Sequence, residues 1–213
     1  MLSRRLCAIF LCLASLGPGA TSDKAPRPSP DFAVSFTDGS QIHLRQYQGK
    51  VVVLAFILTY CPHCQLTAQT LSTLQKEYGP RGLQVMASAI EDMASFAVPD
   101  FIKKFQPGYP VGFSPRNLVL DYLQHPVMFR LLMPQVVVID RKGIIRTQLA
   151  GDDKFFDKTN QEKNFRDLLE PLLKEGMGTP VARRGKAPQQ SVRARTSAGP
   201  NTQPKASGMN PLQ

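Results

Sequence analysis

The sequence predicts an α/β domain, a sheet whose strands are joined by crossover helices. Two observations carry that reading. Apolar runs of strand length at residues 51–58, 83–90 and 135–139 are separated by stretches of helical periodicity. The first run also leads straight into Cys61-Pro62-His63-Cys64, so a buried strand turns through two cysteines into the start of a helix.

Each element has a local cause. Residues 31–44 read as a hairpin, with Phe32, Val34 and Phe36 alternating and Asp38-Gly39 as its turn. Gly49-Lys50 precede the strand at 51–58. Pro62 suits the first turn of the next helix, where its missing N–H would be unpaired in any case. Leu66, Leu71, Leu74 and Tyr78 carry that helix to about Tyr78, and Gly79-Pro80 stop it. A second strand follows at 83–90, then a helix over 98–105 with Pro99 near its start. A short strand at 111–113 and a helical piece at 116–123 come next. A strand at 135–139, the turn at 140–143 and a further strand at 144–149 follow. An amphipathic helix over 160–175, with Phe165, Leu168, Leu169, Leu172 and Leu173 on one side, closes the domain. No internal repeat and no glycine-rich phosphate loop is visible, so neither a nucleotide nor a flavin is implied.

The 213-residue chain is longer than this domain, and both ends differ from the middle. Residues 1–20 read as an export signal: Arg4 and Arg5, an apolar stretch from Leu6 to Leu16, then Gly17-Pro18-Gly19-Ala20. The apolar stretch falls short of the roughly 20 residues that span a bilayer. Residues 21–30, with three prolines, read as an extended linker, and the folded domain is placed at 31–176. Residues 177–213 read as a disordered basic tail, because from Gly178 onward there are five prolines, six basic residues and no acidic one. That tail and the two signal arginines supply eight of the ten net positive charges, leaving the domain nearly neutral. The basic balance is therefore no sign of nucleic-acid binding. A peripheral contact with anionic lipid through the tail, or an anchor if the signal stays uncleaved, is the membrane role it suggests.

Loss of the signal would remove Cys7 and Cys12 and leave Cys61 and Cys64 as the only cysteines. Two cysteines three apart cannot form a multi-bridge framework. At a helix N-terminus the first sulfur meets backbone N–H groups and the positive end of the dipole, which favour a thiolate. The pair is thus placed to make and break a disulfide, in a compartment outside the cytoplasm where disulfides persist.

The order of strand, Cys-x-x-Cys, helix and, much later, Met133-Pro134 before a strand resembles the thioredoxin superfamily. The match is closest to its TlpA/ResA-type extracytoplasmic thiol-disulfide oxidoreductases, which overlap with the AhpC/TSA redoxins. Phe32, Leu44, the run from Gly49 to Val53, the cysteine motif and the segment from Met133 to Gly143 carry this resemblance. It implies a thioredoxin-like fold: a central mixed sheet flanked by helices, an N-terminal hairpin, and an insertion before the cis-proline strand. It further implies Cys61 as the attacking thiol, Cys64 as the resolving thiol, and Pro134 as a cis-proline facing the pair. With Met133 and Tyr60, Pro134 would bind an extended substrate segment. No cofactor beyond the redox-active Cys61–Cys64 disulfide is implied, and no metal. Implied partners are protein thiols and disulfides, such as apocytochrome c in cytochrome c biogenesis or copper-site cysteines, and a membrane thiol donor. The implied location is the bacterial periplasm.

Departures from the family pattern set further questions. Tyr60 replaces a frequent tryptophan before the first cysteine. Ala55 stands where thioredoxins carry a buried acid, and Thr67 where ResA-like proteins have a glutamate, so proton transfer to and from Cys64 falls to water or another residue. Pro62-His63 is the dipeptide of DsbA-type oxidants. His63 can stabilise the neighbouring thiolate and shift the pair toward the oxidising side. Two alternatives remain beside disulfide exchange. One is a Cu(I)-binding metallochaperone using both thiolates. The other is a peroxiredoxin-like peroxidase, which would have to work with Leu58 and Leu54 where that motif has threonine and proline.

Overall fold

In the computed structural model residues 25–175 are described. Their elements, in order, are β1 (Arg27–Pro28), β2 (Ala33–Ser35), β3 (Gln41–His43), β4 (Val51–Ile57), α1 (Pro62–Tyr78), β5 (Leu83–Ala89), α2 (Ala94–Phe105), β6 (Val111–Phe113), α3 (Arg116–Leu123), β7 (Gln135–Ile139), β8 (Ile144–Leu149) and α4 (Gln161–Lys174). The expected signal at 1–20 and the expected basic tail at 177–213 lie outside the described residues. No helix among the described residues is long and apolar enough to cross a membrane.

The strands form one mixed sheet in the order β1-β8-β7-β4-β5-β6-β2-β3. Strands β4, β5 and β6 run parallel, each next strand reached through a helix, while β7 and β8 pair antiparallel on the other side of β4. All seven residues of β4 are buried, as expected of a strand covered on both faces. Its side chains alternate between two cores. Val51, Val53, Ala55 and Ile57 pack with residues of α1, α2 and α4, including Leu71, Phe101 and Phe165. Val52, Leu54 and Phe56 face α3 and the N-terminal hairpin, where Phe32, Phe56 and Tyr122 form an aromatic cluster with centroids 5.0–5.9 Å apart.

Two expectations need correction. The linker expected over 21–30 is part of the fold from Ala25 on: Arg27 and Pro28 pair with Ile145 and Ile144 at the edge of the sheet, and Arg27 donates to the Tyr122 carbonyl oxygen at 2.9 Å. A proline-rich stretch hides this strand, yet an edge is the one place where a strand tolerates proline. Helix α2 begins at Ala94, not 98, because Met93 turns the chain with φ 63°. Pro99 therefore sits in the helix interior and leaves the Ser95 carbonyl without its usual donor. Helix α1 ends at Tyr78 with Gly79 as its C-cap, as expected, and the chain then turns through Gly82 at φ 97°.

Candidate active site

Strand β4 ends at Ile57, and four residues later the chain enters α1 with Pro62 at its first position and Cys61 as N-cap. The connecting turn is held by the Cys61 N–H donating to the Leu58 carbonyl (3.1 Å) and the Gln65 N–H donating to the Cys61 carbonyl (2.9 Å). Helical spacing then separates the two sulfurs by environment. Cys61 is half-buried at the helix tip, whereas Cys64 is fully buried on the inner face beside Ala68 and Leu71. Both are free thiols, and the Leu58 N–H donates to the Cys64 sulfur at 3.5 Å.

This burial has an electrostatic consequence. Loss of solvation pushes the Cys64 thiol well above its ordinary pKa. The Leu58 N–H pulls it back in part, and neighbouring Cys61 and the Glu91 charge push it further up. Cys64 is therefore a poor thiolate until something accepts its proton.

Across from the cysteines, the segment entering β7 carries a cis Met133–Pro134 peptide bond, as the family resemblance implies for Pro134. Pro134 is buried and Met133 half-buried. Met133, Tyr60, Cys61 and Pro62 line one groove of about 380 Å³, together with Leu58, Arg130, Leu131, Leu132, Gly151 and Asp152. The structure thus gathers Tyr60, Cys61, Pro62 and Met133 in one place. His63 lies exposed on the next helical position, and its imidazole has no hydrogen-bond partner among the described residues.

The groove is largely apolar, lined by Leu58, Tyr60, Pro62, Leu131, Leu132 and Met133 beside Cys61. Tyr60 is 68% exposed and also lines a neighbouring cleft with Met93 and Phe96. Apolar side chains beside a reactive sulfur suit contact with a polypeptide better than with a small polar solute.

Three supporting residues escape sequence reading. Gly151 packs so closely that a Cβ there would lie 2.2 Å from the Met133 carbonyl oxygen, and its N–H donates to the Leu132 carbonyl. A lone glycine between a strand and a turn gives no such signal. Gln161, on α4, is buried and donates to Thr67 (3.1 Å) while accepting from Thr70 (3.0 Å), so a neutral network surrounds Thr67. Glu91, just past β5, accepts from the Thr59 N–H (2.9 Å) and from the Thr59 hydroxyl. Among the described residues no group of three or more His, Cys, Asp or Glu side chains is placed to hold a metal ion.

Comparison with known proteins agrees with this geometry. A redoxin family model matches residues 22–167. Thiol-disulfide oxidoreductase ResA of Bacillus cereus is 25% identical over 160 residues, covering 71% of this chain and 88% of its own length. The ResA of Geobacillus thermodenitrificans is 25% identical over 156 residues, covering 69% and 86%. Among solved structures, a thioredoxin family thiol:disulfide interchange protein from Chlorobium tepidum superposes with a TM-score of 0.58 at 22% identity, covering 71% of this chain and 99% of that one. At that identity the likeness speaks for the fold, which is thioredoxin-like.

Proposed function

The chain belongs to the redoxin family, with ResA-like relatives, and we propose that it is a thiol-disulfide oxidoreductase that exchanges disulfides with protein thiols through Cys61 and Cys64. The observation that carries this reading is the asymmetry of the pair: Cys61 opens onto a largely apolar groove, and Cys64 is fully buried. The Cys61 thiolate attacks a substrate disulfide, one substrate sulfur leaves as a thiolate, and a mixed disulfide forms. Cys64 then attacks the Cys61 sulfur, releasing the second substrate sulfur and leaving the Cys61–Cys64 disulfide. The same steps reversed oxidise a substrate dithiol. Pro134 and Met133 present the substrate backbone, with Tyr60 packing against its side chains, and Pro62-His63 sets the poise of the pair. The reading places the protein outside the cytoplasm, exported by residues 1–20, with a membrane thiol donor as redox partner.

Replacing Cys64 by Ser tests this reading. The variant should accumulate a covalent adduct of Cys61 with a substrate protein, stable in non-reducing electrophoresis and released by dithiothreitol. Recovery of no adduct, together with tight Cu(I) binding by the wild type, would favour the metallochaperone instead.

A further inference from the structure

Cys64 must shed a proton each time it resolves a mixed disulfide, yet its immediate surroundings offer no base. Ala55 and Thr67 are fully buried and neutral, and Thr67 is tied to Gln161. The chain supplies a carboxylate from another direction. The Ile90 N–H donates to the Ile57 carbonyl (3.1 Å), extending the β4–β5 pairing one residue and bringing Glu91 alongside Leu58 and Thr59. There the successive backbone N–H groups of Leu58 and Thr59 go to different acceptors: the first to the Cys64 sulfur, the second to Glu91 Oε1. The other carboxylate oxygen, Oε2, is shut off from solvent and has no hydrogen-bond donor. Leaving a buried carboxylate oxygen unpaired is costly, and such groups call for an explanation.

We propose that Glu91, from the end of β5, is the proton acceptor and donor for Cys64. The proposal rests on the thiol-disulfide exchange reading above. In the forward step the Cys64 S–H bond breaks and its proton goes to the Glu91 carboxylate. The sulfur's electron pair forms the bond to Cys61, and the bond from Cys61 to the substrate breaks, its electrons leaving with the substrate thiolate. In reverse, a substrate thiolate attacks Cys61, and Cys64 departs with the proton held by Glu91. The cleft over Glu91 is lined by Thr59, Tyr60, Asp92, Met93, Phe96 and Ala97. Tyr60 and Asp92 share this cleft with the carboxylate and Cys64 feels its charge, while among the described residues no cation forms an ion pair with Glu91.

The charge of Glu91 holds the Cys64 thiol up, which separates two roles by sign. If Glu91 acted only as a nearby charge, Glu91→Gln would ease ionisation of Cys64 and speed resolution. As proton acceptor, its loss slows resolution even though the thiol ionises more easily.

Reduced protein mixed with dithiobis-nitrobenzoate reads both steps as release of coloured thiolate: a concentration-dependent phase for attack by Cys61 and a concentration-independent phase for resolution by Cys64. Glu91→Gln, whose amide oxygen can still accept from Thr59, should keep the first phase and slow the second by about 10- to 100-fold near neutral pH, a modest share of what general base catalysis supplies. The deficit should close at high pH, where hydroxide takes the proton. If Glu91→Gln does not fold, Glu91→Asp, one carbon shorter, should show a smaller deficit of the same pH form. A second phase unchanged or faster in a folded variant overturns the role of Glu91 while leaving disulfide exchange standing. No first phase in the wild type overturns the exchange reading itself.

Discussion

Gly151→Ala is expected to damage function beyond what it does to stability. The added Cβ would sit 2.2 Å from the Met133 carbonyl oxygen, 2.4 Å from its carbonyl carbon and 2.8 Å from its nitrogen. All three are backbone atoms, so no side-chain rotation relieves the contact. Ordinary contact between a carbon and these atoms needs more than 3 Å, so Met133 or Gly151 must move by about 1 Å, of the order that costs an enzyme about 100-fold in rate. Overpacking of this kind costs about 1–3 kcal/mol, or a fall in Tm of roughly 2–12 °C for a domain of this size. Gly39→Ala is the control. Gly39 has φ 82° with open space around it, so its substitution costs about 1–2 kcal/mol through backbone conformation alone and lies in the N-terminal hairpin. Thermal unfolding should show comparable losses for the two variants. Exchange with a cysteine-containing peptide disulfide should fall by about 10- to 100-fold in Gly151→Ala only, while alkylation of Cys61 by iodoacetamide stays near the wild-type rate. Equal peptide exchange rates for the two variants would refute the positioning of Met133 by Gly151.

His63→Pro should make the pair more reducing, lowering its potential by about 30 mV or more, the equivalent of tenfold in the exchange equilibrium. A redox titration against glutathione measures this, and an unchanged potential would make His63 a spacer. Asp140 provides a pH test. Burial alone would raise its carboxyl pKa, but the Ile144 N–H, the Arg146 guanidinium and the Lys142 N–H outweigh this and hold it below the ordinary value. A depressed folded-state pKa contributes stability that is complete above the unfolded value of about 3.9 and is lost as pH falls through the folded one. Urea unfolding of Asp140→Asn should therefore show lower stability than wild type at pH 7 and a shallower decline below about pH 4. Parallel curves would contradict the assignment.

Most of the sheet was legible because its strands are buried on both faces and so read as unbroken apolar runs, as at Val51–Ile57 and from Val136 to Ile139. Helix α1 was legible to the residue, from Pro62 to Tyr78, since proline and the buried stripe mark its start and course. Strand β1 was not, because Arg27-Pro28 carries linker composition and is a strand only through Ile144 and Ile145, more than a hundred residues away. The start of α2 was hidden by the left-handed turn at Met93, a conformation that no residue type at that position announces. At the site, the cysteines and the cis-proline before β7 were visible as motifs. Glu91, Gln161 and Gly151 were not, since each acquires its place only through contacts across the fold: with Thr59, with Thr67 and Thr70, and with Met133. The missing acids at Ala55 and Thr67 posed the question, and the parallel pairing of β4 with β5 supplied a carboxylate that spacing along the chain could not locate.

The division of labour between the two sulfurs is tested most directly by mixing the reduced wild-type protein with a peptide disulfide, quenching with acid at intervals, and mapping adducts by mass. The account predicts a transient peptide adduct on Cys61 alone, decaying to the Cys61–Cys64 disulfide as peptide thiol is released. An adduct on Cys64, or an adduct on Cys61 that never resolves in the wild type, would contradict it.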